Sequence, residues 1–244
     1  RTTLLNEDFE LFYQPQVDTN GKYIGAEALL RWQHPEQGMI SPMQFIPIAE
    51  ESGLIVPIGQ WVLNQACFCL VRWAENPLLA DLILAVNISV IELSQDEWVE
   101  SVLTILQTTG ANPSKLKLEV TESVMAFDIE KVIAKLTVLR QKGISISLDD
   151  FGTGYSSLTY LKSLPLNQLK IDQSFVRDIL VDPNDLAIAE TIINLAYMMD
   201  LDVIAEGVET EEQLKILKDK GCKSFQGYLF GRPEPIEAFE QTFI

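Results

Sequence analysis

Two apolar-rich runs open the chain, Phe9 to Val17 and Tyr23 to Arg31, separated by Thr19-Asn20-Gly21-Lys22. Asn-Gly between such runs marks a tight hairpin, because both central residues must tolerate positive φ. The first two strands are therefore expected to be antiparallel. Beyond them the pattern alternates. Ser41-Pro42 opens a helix that Gly53 closes, and a second helix spans about Ile58 to Glu75. Strand Leu82 to Ile88 is followed by a helix from about Ser94 to Thr109, closed by Gly110. Strand Lys115 to Val120 then leads to helix Asp128 to Lys142, closed by Gly143. Next come strand Ile144 to Leu148, a short helix Ser157 to Leu164, strand Gln168 to Ile171 and helix Asp185 to Met199. Strand Asp202 to Ala205 precedes a helix that starts on the capping-box spacing Thr210-Glu211-Glu212-Gln213 and ends at Gly221. The last strand covers Lys223 to Tyr228, with a short terminal helix after it.

Eight strands, most of them followed by helices, predict parallel βα units and a closed barrel, with one strand of the opening hairpin running against the rest. An open doubly wound sheet is the alternative. The 244 residues, 47% of them apolar, suit one domain with one core. No linker, low-complexity stretch or repeat divides the chain. It starts at Arg1 rather than methionine, so a segment of a longer protein is expected.

Net charge narrows the chemistry. At −17 the chain is not a binder of duplex nucleic acid, which would need basic surface to neutralise phosphates. Cys67, Cys69 and Cys222 have neither zinc nor redox spacing and read as buried, reduced thiols. His34 is the only histidine, which excludes metal sites built on several histidines. No apolar run has the length of a membrane span, and no signal peptide is visible.

Polar groups recur where the strands end. Glu27 lies near the end of the second strand, Asn87 ends the third, Glu119 and Glu122 the fourth, and Asp149 and Asp150 the fifth. Lys170 and Asp172 flank the end of the sixth, Glu206 and Glu209 end the seventh, and Gln226 lies in the eighth. Taken singly, Glu122, Asp172 and Glu209 read as caps or surface ion pairs. Together these residues would converge at the C-terminal mouth of a barrel, where active sites lie. Carboxylates packed there need cations to stay ionised. Oxygen donors from Asp, Glu and Asn suit Mg²⁺ or Mn²⁺ rather than zinc. Adjacent Asp149 and Asp150 could place one carboxylate between two ions, which would then clamp the attacking and leaving oxygens of a phosphoryl displacement. Arg31 suits a phosphate oxygen, and Lys170 could orient a water or stabilise developing charge. The glycine-bearing stretch Asp150 to Ser157 reads as a loop that closes over the site.

These residues resemble the signatures of EAL-domain cyclic di-GMP phosphodiesterases. The matching blocks are Gly25-Ala26-Glu27-Ala28-Leu29-Leu30-Arg31-Trp32, Glu119 to Glu122, Asp149 to Leu158, Leu169 to Asp172, Ala205 to Glu209 and Gln226-Gly227-Tyr228, and they span essentially the whole chain. The resemblance implies a (β/α)8 TIM-like barrel with one antiparallel strand near the N-terminus. It also implies hydrolysis of cyclic di-GMP to linear pGpG with Mg²⁺ or Mn²⁺. By match to the motifs, Glu27, Asn87, Glu119 and Asp149 would ligate one ion, and Asp149, Asp150 and Glu206 the second. Glu206 also resembles a general base, and Lys170 the residue that positions the attacking water. Gln14, Leu29, Arg31, Asp172, Glu209, Gln226 and Tyr228, with Glu27 and Asp149, fall at substrate-binding positions, and Glu122 at the loop anchor. A homodimer, an upstream sensor or regulatory domain and a cytoplasmic active site, tethered or not, follow from the resemblance alone. A receptor that binds cyclic di-GMP without cleaving it is the competing expectation. A barrel metalloenzyme acting on another phosphate substrate is a third.

Overall fold

The structure is a computed structural model that describes residues 8–126, 128–152 and 158–243. Its strands are β1 (Phe9–Asp18), β2 (Tyr23–His34), β3 (Gly38–Ile40), β4 (Ile83–Ile88), β5 (Leu116–Thr121), β6 (Ser145–Phe151), β7 (Gln168–Ile171), β8 (Asp202–Ala205), β9 (Ser224–Gln226) and β10 (Glu234–Pro235). They form one sheet in the order β10-β1-β9-β8-β7-β6-β5-β4-β2-β3, and the pairing of β1 with β2 closes it into a barrel. The strands β2, β4, β5, β6, β7, β8 and β9 run parallel around the wall, while β1 pairs antiparallel with both β2 and β9. Closure excludes the open sheet, and the antiparallel member of the hairpin is its first strand.

The helices are α1 (Pro42–Glu51), α2 (Ile55–Ala74), α3 (Val90–Ser94), α4 (Trp98–Thr109), α5 (Ile129–Gln141), α6 (Leu158–Ser163), α7 (Gln173–Arg177), α8 (Pro183–Met198), α9 (Glu211–Asp219) and α10 (Ile236–Gln241). Their apolar sides cover the outer face of the barrel, burying Leu63, Leu70 and Trp73 of α2, Leu136 and Leu139 of α5, and Ile192 and Ala196 of α8. The Thr210–Gln213 capping box forms as its spacing predicts.

Three local departures have physical causes. Helix α2 begins at Ile55, before Pro57, because a proline in the first turn loses only an N–H that has no intrahelical partner there. The helix expected from Ser94 to Thr109 starts later, as α4 at Trp98, and the short α3 precedes it. A Ser89–Glu92 capping box starts α3, and extended Gln95 ends it before α4. Short β3 and β10 pair with the outer parts of β2 and β1, where the sequence offers too few residues for a pattern. Between β9 and β10 the chain passes Gly227, where an added Cβ would stand 2.1 Å from the Val208 oxygen.

Candidate active site

Alternation along each strand sends every second side chain into the barrel. Here that inner set is polar. In the lower interior Lys117 Nζ donates to Gln168 Oε1 (2.8 Å), which also accepts from Ser147 Oγ (3.2 Å). Gln16 Nε2 donates to Gln226 Oε1 (2.8 Å). One inward position further along β5, β6 and β7 come Glu119, Asp149 and Lys170, so these three each stand above a residue of the polar lower layer.

Lys170 is the centre of the mouth. Its Nζ lies 2.5 Å from Glu119 Oε2, 2.6 Å from Glu206 Oε1, 3.1 Å from Asp149 Oδ2 and 3.8 Å from Glu27 Oε2. Five elements therefore bring one ammonium and four carboxylates together, from β2, β5, β6, β7 and the segment after β8. Glu27 is fixed further by Asn87 Nδ2, which donates to its Oε1 (2.6 Å), and by Gln226 Nε2, which donates to its Oε2 (2.6 Å). Gln226 Nε2 also reaches Gln14 Oε1 (3.1 Å). Asp149 Oδ1 accepts the Asp150 amide (2.9 Å), and Asp150 sits at a φ of 55°, a left-handed backbone that Asp tolerates better than most residues.

One ammonium does not balance this many acids. Burial would depress Lys170, but Glu119, Glu206, Glu27 and Asp149 hold it well above the ordinary lysine value. Burial pushes Glu119 up to about 7, opposed by Lys170 and reinforced by Glu27 and Asp149. Burial also raises Glu206 well above the usual carboxylate range, and it raises Asp150, beside Asp149 and Asp172, to about 6. Glu119 Oε1 is buried without a hydrogen-bond partner. Raised carboxyl pKa values and an orphaned buried oxygen fit a set of donors that would take a cation. The donors also suit a hard divalent ion: all are oxygens, and several carboxylates bear on one point. Among the described residues no group of three or more acidic, histidine or cysteine side chains is set as a ready-made metal cage; the acids converge on Lys170 instead.

The family model for the EAL domain matches residues 1–233. The chain belongs to the EAL domain family. A curated relative, the bifunctional diguanylate cyclase/cyclic di-GMP phosphodiesterase MucR of Pseudomonas aeruginosa, is 47% identical over 238 residues, covering 97% of this chain and 35% of its own. This EAL domain spans about a third of the length of the curated relatives it matches. Among solved structures, the PaMucR phosphodiesterase in complex with c-di-GMP superposes with a TM-score of 0.92 at 47% identity, covering 95% of this chain and 94% of that one. The calcium/cy-diGMP complex of Klebsiella pneumoniae BlrP1 is similar at 29% identity with a TM-score of 0.77, covering 93% of this chain and 56% of that one.

Around the mouth of this EAL domain the remaining expected residues divide. Gln14 is buried in the ring, its Nε2 donating to the Gly231 oxygen (3.3 Å). Leu29 and Arg31 lie on β2 beyond Glu27, and the Arg31 guanidinium sits 5.5 Å from the Phe12 ring centre. Tyr228 is half exposed, with the Arg232 guanidinium 4.1 Å over its ring. Glu122 is buried in a 3-10 turn after β5, and its Oε2 accepts the Gly152 amide (3.1 Å), which ties the start of the Asp150–Ser157 stretch to β5. Thr153 to Ser157, the body of the expected closing loop, lie outside the described residues. Asp172 caps α7, accepting Ser174 N (3.0 Å), and stands beside Asp150, while Glu209 is exposed beside the Thr210 box. The polar layer of Gln16, Lys117, Ser147 and Gln168 escaped the sequence reading, though its signal was there: each lies two residues from a mouth residue on the same strand. Arg232 carried no such signal. Among the described residues no helix is long and apolar enough to cross a membrane.

Proposed function

We propose that this domain hydrolyses cyclic di-GMP to linear pGpG in a reaction that depends on two divalent ions, Mg²⁺ or Mn²⁺. The observation that carries the reading is the convergence of Glu27, Glu119, Asp149 and Glu206 within 4 Å of one buried ammonium, Lys170. So concentrated a set of acids at a barrel mouth is a functional arrangement that costs stability. It is supported by relatives whose names carry cyclic di-GMP phosphodiesterase activity and by a similar domain solved with calcium and the dinucleotide.

Glu27, Asn87, Glu119, Asp149, Asp150 and Glu206 would hold the ions, with Asp149 shared. When bound, the ions neutralise the phosphodiester and favour the ionised form of the attacking water. The chain's own groups do the rest. Lys170 Nζ orients the attacking water by donating to it, and Glu206 accepts the proton that the water gives up. Water adds at phosphorus and the bond to one ribose 3′ oxygen breaks, leaving a 5′ phosphate and a 3′ hydroxyl. Arg31, Gln14 and Tyr228 hold the dinucleotide across the mouth, and Glu122 anchors the start of the loop after β6 at the Gly152 amide. An upstream sensory or regulatory segment, a homodimer and a location in the cytoplasm belong to the same reading.

The test is chromatographic: cyclic di-GMP is incubated with the domain and Mg²⁺, with EDTA and Glu27→Ala as controls. Linear pGpG formed only by the intact, metal-supplied protein supports the reading. Ligand that co-elutes unchanged with the protein favours a receptor instead.

A further inference from the structure

Past Gln226 the chain makes a tight turn before it rejoins β1 as β10, and that turn presents Tyr228 and Arg232 to solvent. Phe230 N and Gly231 N both donate to the Gly227 oxygen (3.1 and 3.2 Å), and Leu229 N donates to the Val208 oxygen (3.1 Å). Gly231 packs so closely on Pro15 that an added Cβ would stand 2.7 Å from its Cγ, and the Gly231 oxygen accepts from Gln14 Nε2 (3.3 Å). The turn is therefore fixed at both ends to residues of the mouth, Gln226 where it starts and Gln14 where it finishes. Side chains carried on so constrained a backbone are held in place before any ligand arrives.

Tyr228 connects two cations. The Arg232 guanidinium lies 4.1 Å over its ring, well within cation–π range. On the other side is Arg31. Burial holds its guanidinium below the ordinary arginine value, opposed by Glu27 and by Tyr228, so the Tyr228 hydroxyl is within electrostatic reach of it. Among the described residues neither Arg31 nor Arg232 makes an ion pair. That is against the balance of a chain with 18 basic and 35 acidic residues, where a carboxylate partner is easily found. Stacking also occupies only the face of a guanidinium. The N–H groups of Arg232 lie in its plane, and they stay free for an anion.

A cyclic dinucleotide carries two phosphodiesters, and the acid ring with its ions takes only the one that is cleaved. We propose that Arg232 is a substrate-binding residue whose guanidinium, held by the Tyr228 ring, takes the second phosphodiester, the one that stays intact. The proposal rests on the cyclic di-GMP reading above. It gives the turn a part in choosing the substrate, because a compound with a single phosphodiester gains nothing from Arg232.

Arg232→Met keeps an apolar stem on Tyr228 and removes the charge. Arg232→Lys keeps a charge and loses the planar fork. Both are compared with wild type on cyclic di-GMP and on bis(p-nitrophenyl) phosphate, which has one phosphodiester, in Mg²⁺. In Arg232→Met the ratio of kcat/KM for cyclic di-GMP to that for bis(p-nitrophenyl) phosphate is expected to fall about 10-fold, through KM, and in Arg232→Lys by less. KM for cyclic di-GMP should also rise less steeply with salt in Arg232→Met than in wild type, because a screened contact is gone. An unchanged ratio would overturn the proposal and leave the stack a surface contact. A fall in the ratio with wild-type salt dependence would overturn it too, since Arg232 would then act only through the shape of the turn. Titration with cyclic di-GMP in Ca²⁺ reads the same contrasts as Kd. Binding without hydrolysis by wild type would therefore sink the phosphodiesterase reading alone, and absence of binding would sink both.

Discussion

The ammonium of Lys170 lies 2.6 Å from Glu206 Oε1, joining β7 to the segment after β8 at the centre of the mouth. The contact lets one side chain answer two needs. It holds the acids together when no divalent ion is bound, and it places a proton donor beside the carboxylate that would take the water's proton.

Lys170→Met should therefore harm both stability and chemistry. Removing one partner of a buried charge cluster costs roughly 3 kcal/mol. The acids would recover part of this by taking up protons or by binding a cation. Denaturant unfolding in EDTA should show the full loss, and unfolding in excess Mg²⁺ a smaller one. Hydrolysis of cyclic di-GMP should fall by about 100-fold or more under either condition. Equal destabilisation with and without metal would argue that the cluster is not a cation site.

Among the described residues Glu122 is tied to the site through the Gly152 amide. Glu122→Ala should remove that hydrogen bond at a cost of about 1–2 kcal/mol. The expected signature is faster hydrogen exchange at Gly152 and a lower kcat, with an unfolding midpoint only slightly changed. Wild-type kcat in this variant would mean that the tie is structural.

Glu92 supplies a pH dependence away from the acid ring. Its folded value of about 8 lies above that of an exposed glutamate. A raised acid favours the folded state fully below its unfolded pKa, and that contribution is lost as pH rises through the folded pKa. The wild type should therefore weaken relative to Glu92→Gln as pH rises from about 4.5 to 8, by at most a few kcal/mol, with no further change above. Thermal unfolding of both proteins across that window checks it, and the difference cancels contributions from Glu119 and Asp150. A pH-independent difference would mean that the carboxyl is ionised throughout.

Gly227 tests the closure of the barrel. Its neighbour Val208 is held by hydrogen bonds on both sides, from its amide to the Gln226 oxygen (3.0 Å) and from Leu229 N to its own oxygen (3.1 Å). A methyl at Gly227 meets that peptide, so Gly227→Ala should destabilise by roughly 3 kcal/mol, at the upper end for overpacking. Urea unfolding measures it, and a loss below 1 kcal/mol would mean that β9 shifts freely.

The wall of the barrel was legible because strand and helix patterns alternate along the chain, and because Asn20-Gly21 fixes the hairpin. The mouth was legible because Glu27, Glu119, Asp149 and Lys170 place charge near strand ends, where burying it is expensive. Asp172 and Glu209 share that position at strand ends and also cap or flank helices, since a strand end is where the next helix begins, and Asp172 stands beside Asp150 as well. The pairs β2–β3 and β1–β10 were hidden because two or three residues carry no periodicity.

Under the proposed function the acid ring turns over a cyclic dinucleotide only when divalent ions are bound among its carboxyls. The most direct measurement is the initial rate of pGpG formation against free Mg²⁺, for wild type and Asp149→Asn, with the thermal midpoint recorded in the same samples. The account predicts that rate and midpoint rise together and saturate in wild type, and that both responses are lost in Asp149→Asn. A rate independent of Mg²⁺ after exhaustive EDTA treatment, or an Asp149→Asn protein with the wild-type response, would contradict it.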